Sequence, residues 1–184
     1  MNDAVSTLPV RLMLVDDHPL VRDGLRARLG AVAHLEVIGE ASNGHEALLR
    51  AAELCPDVML VDIGMKEMNG LELTERLSQA HPAIRVLILS MYDTPEYYSR
   101  AIAAGAKGYV LKDAGSHEII AAIDAVAAGG SYYSTEVART LFAQRHAQPG
   151  DRAAGARDQQ AQLGHARGGE RHRLLGHREG LLQP

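Results

Sequence analysis

The sequence predicts an α/β fold, a doubly wound parallel sheet with helices on both faces, followed by a poorly structured C-terminal tail. Three observations predict it. Residues 10–130 alternate strand and helix signals five times, the grammar of (βα)5 with right-handed crossovers. The strand candidates are near-continuous apolar runs, as strands buried on both faces require. The stretches between them carry legible helix starts and stops.

The strands are expected at 11–15, 36–40, 57–61, 85–89 and 108–111. A helix begins at Pro19 after the first strand. Asn43 with Glu46, and Asn69 with Glu72, occupy the N-cap and N3 positions of a capping box and open the next two helices. Thr94-Pro95-Glu96 reads as N-cap, Pro at N1 and an acidic first turn. Ser116 is placed to cap the last helix, whose Ile119, Ile120, Ile123 and Val126 form an apolar face. Gly30, Gly105 and Gly129 stand where helices should stop.

After Gly129-Gly130 the grammar changes. Ser131-Tyr132-Tyr133-Ser134 reads as a short irregular stretch, and 135–146 as one more helix. The resulting division is a disordered N-terminus at 1–9, the α/β domain at 10–130, a linker helix within 131–146 and a low-complexity tail at 147–184. From Arg145 to Pro184 the chain uses nine residue types, with seven glycines and five leucines, too little apolar periodicity for a core. All nine can be encoded by codons that begin with G or C. In a GC-rich gene a shifted frame turns G/C-rich third positions into first positions, so the tail reads as a frameshifted remnant. The alternative is a genuine Arg/Gly/His-rich disordered tail with loose electrostatic affinity for nucleic acid.

Bulk properties exclude several classes. A length of 184 residues suffices for one good core, and a net charge of −4 gives no hint of nucleic acid over the whole chain. The single cysteine, Cys55, excludes a disulfide framework within the chain and has no base placed beside it. The start lacks a basic n-region and an apolar h-region, and no apolar run approaches membrane-spanning length. A cytoplasmic protein without membrane contact is expected.

The chemistry gathers at strand ends. LMLV at 12–15 runs into Asp16 and Asp17, VMLV at 58–61 into Asp62, VLIL at 86–89 into Ser90, and YVL at 109–111 into Lys112. Ligands of open parallel sheets bind outside the carboxyl ends of the strands, so these groups should converge on one pocket. Asp62 is the candidate phosphoacceptor, because an Asp held rigid at a strand end can attack a phosphoryl donor and form an acyl phosphate. Asp16 and Asp17 face it across the sheet, and crowded carboxylates call for a cation. Mg²⁺ suits them, since it takes oxygen ligands and accepts phosphate oxygens. Asp17 is expected to coordinate directly and Asp16 partly through water, with a backbone carbonyl near Gly64 completing the set. The competing reading gives one Asp to the metal and the other to capping the helix at Pro19. Lys112 can reach a phosphoryl oxygen as a mobile charge, and Ser90 can donate to the same group. Tyr109, from its own chemistry, reads first as a part-buried ring with a satisfied hydroxyl. His18 lies beside the acid pair, but the nine histidines show no metal-ligand spacing.

VDDHPLVRDGL at 15–25, DIGMKEMNGLEL at 62–73, LILSMYD at 87–93 and AGAKGYVLKD at 104–113 closely resemble the receiver domain of two-component response regulators, over roughly 10–130. The wording is similar to the NarL/FixJ (LuxR-type) transcriptional branch. The resemblance implies a flavodoxin-like strand order 2-1-3-4-5. It implies phosphoryl transfer to Asp62 from a phosphohistidine on a sensor histidine kinase, with Asp16, Asp17 and Asp62 around Mg²⁺. It implies that Lys112 contacts the phosphate and that Ser90 and Tyr109 form a switch pair: Ser90 swings toward the phosphoryl group and Tyr109 turns inward. A phosphorylation-dependent homodimer through the fourth and fifth helices is a further expectation. Lys66 and Asp113 stand where many receivers have Pro, and are read as marks of the branch.

Members of that branch normally carry a helix-turn-helix after the linker. YYSTEVARTLF at 132–142 looks like the linker, yet no recognition helix and no DNA-binding residue is identifiable after it. DNA is therefore expected as a partner only if an intact helix-turn-helix is restored. Otherwise the chain is a stand-alone receiver acting by protein contact or as a phosphate sink. An aspartyl-phosphate phosphatase is the enzymatic alternative, but that class usually needs a second Asp two residues past the nucleophile, where this chain has Gly64. The expected role is thus phosphorelay signalling, with no enzymatic turnover beyond phosphorylation and dephosphorylation of Asp62.

Overall fold

In the computed structural model, residues 8–133 and Val137 are described. β1 (Val10–Val15), β2 (Leu35–Ala41), β3 (Val58–Asp62), β4 (Arg85–Ser90), β5 (Gly108–Leu111) and β6 (Tyr132–Tyr133) form one parallel sheet in the order β2-β1-β3-β4-β5-β6. Five helices separate them: α1 (Pro19–Leu29), α2 (Gly44–Leu54), α3 (Gly70–Ala80), α4 (Pro95–Ala103) and α5 (Ser116–Ala127). The order 2-1-3-4-5 and the five β-α repeats agree with the sequence reading. Strand β6 does not. Its two tyrosines add to the β5 edge, where Tyr132 N–H donates to Lys107 O and Tyr133 OH to Ala106 O. Two residues between serines carry no period, so the stretch read as irregular.

Alternate strand residues feed two cores. Met13, Val15, Met59, Val61, Val86 and Ile88 pack with α2, α3 and α4 residues such as Ala47, Leu73 and Tyr98. Leu12, Leu14, Leu60, Leu87 and Leu89 pack with Leu25 and Leu29 of α1 and with Ile119, Ile123 and Val126 of α5. Every residue of β3 is buried, which explains its unbroken apolar run up to Asp62. Val137 is also buried, in the first of these cores. The remaining residues of the expected linker, 134–136 and 138–146, lie outside the described residues. So do residues 1–7 and the whole tail, including the expected frameshift.

The caps follow the sequence with three changes. Asn43 Oδ1 accepts Glu46 N–H, and Asn69 Oδ1 accepts the N–H groups of Leu71 and Glu72. Glu46 reaches back one residue further than the capping box requires, to the N–H and hydroxyl of Ser42. Gly115, not Ser116, is the N-cap of α5. Neither Asp16 nor Asp17 caps α1, whose N-cap is His18. At the end of α2 Cys55 takes the left-handed conformation, φ 47°, usually left to glycine. Among the described residues, no helix is long and apolar enough to cross a membrane.

Candidate functional site

Parallel pairing aligns the strands so that β1, β3, β4 and β5 all end along one edge. Asp16 and Asp17 follow β1, Asp62 and Ser90 are the last residues of β3 and β4, and Lys112 follows β5. The Lys112 N–H donates to Ser90 O, which extends the ladder one step past β5 and fixes where the lysine departs. Its ammonium reaches Asp16 Oδ2 at 2.7 Å and Asp62 Oδ1 at 3.1 Å. Asp16, Asp62 and Ser90 are buried.

Burial pushes the Asp62 carboxyl above its ordinary pKa; the Gly64 N–H and Lys112 offset part of this, and Asp16 adds to it. Burial pulls on the Lys112 ammonium in the opposite sense, yet its bonds to Asp16 and Asp62 prevail and its pKa is raised. The site therefore holds a charged lysine against a carboxylate that is costly to ionise. Gly64 meets Asp62 through its N–H, and a Cβ there would sit 3.4 Å from Asp62 Oδ2. Gly70, the first residue of α3, is pressed still closer: a Cβ on it would fall 2.1 Å from Asp62 O.

One ligand atom each from Asp16, Asp17, His18 and Asp62 can be chosen so that all lie within 4.8 Å of one another, a set that could hold a metal ion. Asp17 Oδ1 is sealed from solvent and, apart from the His18 ring nitrogen 2.8 Å away, has no polar partner. A buried carboxylate oxygen left so is expensive unless a cation meets it. The donors are mainly hard oxygens, so the residues fit a hard divalent ion.

Tyr109 is fully buried rather than turned out, with its OH donating to Tyr92 O at 2.6 Å. Burial pushes its phenol up to about 12. Ser90 Oγ accepts Tyr92 N–H at 3.1 Å. Both expected switch residues thus hold the backbone of one loop residue, Tyr92, from its two sides. The Tyr109 ring meets Tyr98 edge to face, with centroids 4.7 Å apart, and Tyr98 OH bonds Asp93. The Tyr109 ring is enclosed where β5 meets α4.

All seven residues named from the sequence (Asp16, Asp17, Asp62, Gly64, Ser90, Tyr109 and Lys112) lie along this one edge of the sheet, although Tyr109 stands back from the carboxylates. Two contributors were not assigned from the sequence. His18 Nδ1 lies 2.8 Å from Asp17 Oδ1 and 3.2 Å from Asp16 Oδ1. Arg22, from α1, donates to Asp16 O and pairs with Glu40 of β2. Both fall in the stretch VDDHPLVRDGL, His18 directly after the acid pair and Arg22 one helical turn further on, which was the available signal.

Residues 12–124 match the model of the response regulator receiver domain. The chain is 41% identical over 136 residues to the transcriptional regulatory protein MctR of Rhizobium johnstonii, covering 74% of this chain and 64% of MctR. It is 40% identical over 156 residues to the DNA-binding transcriptional activator DevR/DosR of Mycobacterium tuberculosis, covering 84% of this chain and 72% of that protein. Among solved structures, a LuxR-family two-component response regulator from Aurantimonas sp. superposes with a TM-score of 0.71 at 34% identity, over 74% of this chain and 98% of that one. The matched region spans less than two thirds of MctR's length.

Proposed function

The chain belongs to the response regulator receiver family and carries the receiver domain of a two-component response regulator; from that premise we propose that Asp62 accepts the phosphoryl group of a phosphohistidine on a sensor histidine kinase. The observation that supports this most directly is the seat of Asp62: buried at the end of β3, 3.1 Å from an ammonium and grouped with two further carboxylates.

In the transfer, an Asp62 carboxylate oxygen forms a bond to phosphorus as the P–N bond breaks, its electron pair returning to the kinase imidazole. The product is an acyl phosphate. Lys112 keeps its charge through the reaction and follows the phosphoryl oxygens. Ser90 can donate its hydroxyl proton to one of them. Asp17, Asp16, Asp62 and the Gly64 backbone are assigned to hold Mg²⁺, which when bound neutralises charge on the phosphoryl oxygens. The new group adds about −1.5 to −2 charge at the sheet edge.

Rotation of Ser90 toward that charge withdraws the acceptor of Tyr92 N–H, while Tyr109 OH still holds Tyr92 O. The signal then passes to the loop before α4 as a change in Tyr92 tethering, a shift between two packings of that loop. The face of α4 and α5 is the surface assigned to a phosphorylation-dependent homodimer. Relatives such as MctR and DevR/DosR are transcriptional regulators by name, so the assigned family role is transcription control in the cytoplasm. A helix-turn-helix and a DNA contact are not assigned to any described residue. The reaction is stoichiometric on Asp62, so the chain acts as a signalling protein rather than a turnover enzyme.

The test is phosphorylation by a small acyl phosphate with Mg²⁺ present. The wild-type chain should gain one acid-stable, hydroxylamine-labile phosphoryl group and Asp62→Asn none; labelling of Asp62→Asn at the wild-type rate would overturn the assignment.

A further inference from the structure

We propose that Tyr97 is a positioning residue for the phosphoacceptor reaction: with Arg100 against its ring, it holds Tyr92 in place and so opposes the turn of Ser90 toward the phosphoryl group. The inference rests on the roles of Asp62 and Ser90 proposed above, and adds two residues of α4 that act through the Tyr92 loop.

The stretch MYDTPEYYSR at 91–100 puts two adjacent tyrosines near the start of α4, about 100° apart around the helix. They serve the two switch partners separately. Tyr98 meets Tyr109 edge to face, whereas Tyr97 stacks on Tyr92, with centroids 4.3 Å apart and planes 7° from parallel. Tyr92 is the residue whose N–H is accepted by Ser90 Oγ and whose carbonyl accepts the Tyr109 OH. Two hydrogen bonds thus hold its backbone, and α4 holds its ring. Met91 is 70% exposed and the Thr94 side chain makes no capping bond. Attachment of the loop to α4 therefore falls to Tyr92 and to Asp93, which Tyr98 OH bonds.

Arg100 supports the stack. Its guanidinium lies over the Tyr97 ring, 5.9 Å from Cζ to centroid. It lines the groove between α3 and α4 together with Glu72 and Glu75 but pairs with neither, and Glu72 goes to Arg76 instead. Three residues on and on the same helix face, Arg100 keeps the Tyr97 ring turned toward Tyr92.

The stack fixes Tyr92 where its N–H meets Ser90 Oγ, so it favours the packing in which Ser90 has not turned. By linkage, whatever favours that packing disfavours the phosphorylated one to the same extent. An aromatic pair of this kind shifts such an equilibrium by about two- to tenfold. A chain whose reactive packing is a minor population gains rate in proportion to that population. Removing the stack should therefore speed phosphorylation, whereas plain loss of packing displaces the reacting groups and slows it.

The experiment measures labelling by a small acyl phosphate at saturating Mg²⁺, with amide exchange at Tyr92 as a second readout. Tyr97→Leu should label about two- to tenfold faster and exchange faster at Tyr92. Tyr97→Phe keeps the stack and should restore the wild-type rate, while Arg100→Met should move in the direction of Tyr97→Leu by a smaller factor. Unchanged or slower labelling in a Tyr97→Leu chain with the wild-type urea midpoint overturns the proposal. If that variant is destabilised, Arg100→Met decides by the same sign, since Arg100 is exposed. An equal gain from Tyr97→Leu in a Ser90→Ala background also overturns it, because the effect would bypass Ser90. Labelling that survives Asp62→Asn overturns the functional reading itself, and the role of Tyr97 with it.

Discussion

Gly70→Ala should damage both the fold and the phosphoacceptor, and the size of the effect follows from three contacts. The added Cβ would lie 2.1 Å from Asp62 O, 2.8 Å from Asp62 C and 2.9 Å from Ile63 Cα, where ordinary contact begins at 3.4 Å. All three are backbone atoms, so no side chain can rotate away, and α3 or the end of β3 must move by about 1 Å. Overpacking of this kind costs about 1–3 kcal/mol, and the upper end applies where only backbone can yield. A 1 Å displacement of a reacting group can cost on the order of 10²-fold in rate. Urea unfolding should therefore show a midpoint lowered by about 1 M or more, and labelling by a small acyl phosphate should slow by about two orders of magnitude. Gly24→Ala is the control with the opposite sign. Gly24 is inside α1 with nothing within 4 Å of its Cβ position, so alanine should stabilise by roughly 0.5–1 kcal/mol. Equal midpoints and equal labelling rates for Gly70→Ala and the wild type would refute the claim that close approach to Asp62 O requires glycine.

Three further perturbations test the electrostatics and the loop. Because the folded pKa of Asp62 is raised, the folded state binds that proton more tightly; stability falls as pH rises from the ordinary carboxylate value through the folded one, and the cost is fully present above it. Without metal, Asp62→Asn should be more stable than wild type at neutral pH, with the gap closing as pH drops through that window in pH-dependent urea melts. Lys112→Met leaves Asp16 and Asp62 buried without their ammonium and should cost roughly 3 kcal/mol, part of it recovered by Mg²⁺, which thermal melts with and without the ion would show. Tyr109→Phe removes the bond to Tyr92 O and should cost about 1 kcal/mol, with faster amide exchange confined to the loop before α4 as the diagnostic.

The strands were legible because a parallel sheet covered on both faces writes itself as apolar runs, and each predicted strand falls within one residue of the observed one. The site was legible for the same reason: the first polar residue after a buried run has to stand at the sheet edge. What escaped depended on partners distant in sequence or on backbone geometry. The inward Tyr109 and the doubly held Tyr92 arise from packing of β4, β5 and α4, which no local pattern encodes. Arg22 reads as an ordinary helix arginine until its guanidinium is seen on Asp16 O. Gly115 in place of Ser116 as the α5 cap is a one-residue question of φ and ψ. Cys55 in a left-handed turn breaks the rule that would have flagged a glycine there.

Strand β6 carries a consequence for how this domain can be cut. An unpaired β5 edge would offer a row of bare amide and carbonyl groups to any second chain, the usual start of edge-to-edge association. Tyr132 occupies Lys107 O and Tyr133 hydroxyl occupies Ala106 O, so two residues serve as a seal. The seat of Val137 extends the same closure into the core. A receiver trimmed at residue 130, where the alternation of strands and helices stops, would keep every residue of the phosphoacceptor site and still lose its protection against sticking to itself. The folding unit is longer than the chemical one, and expression boundaries for this domain belong past Val137.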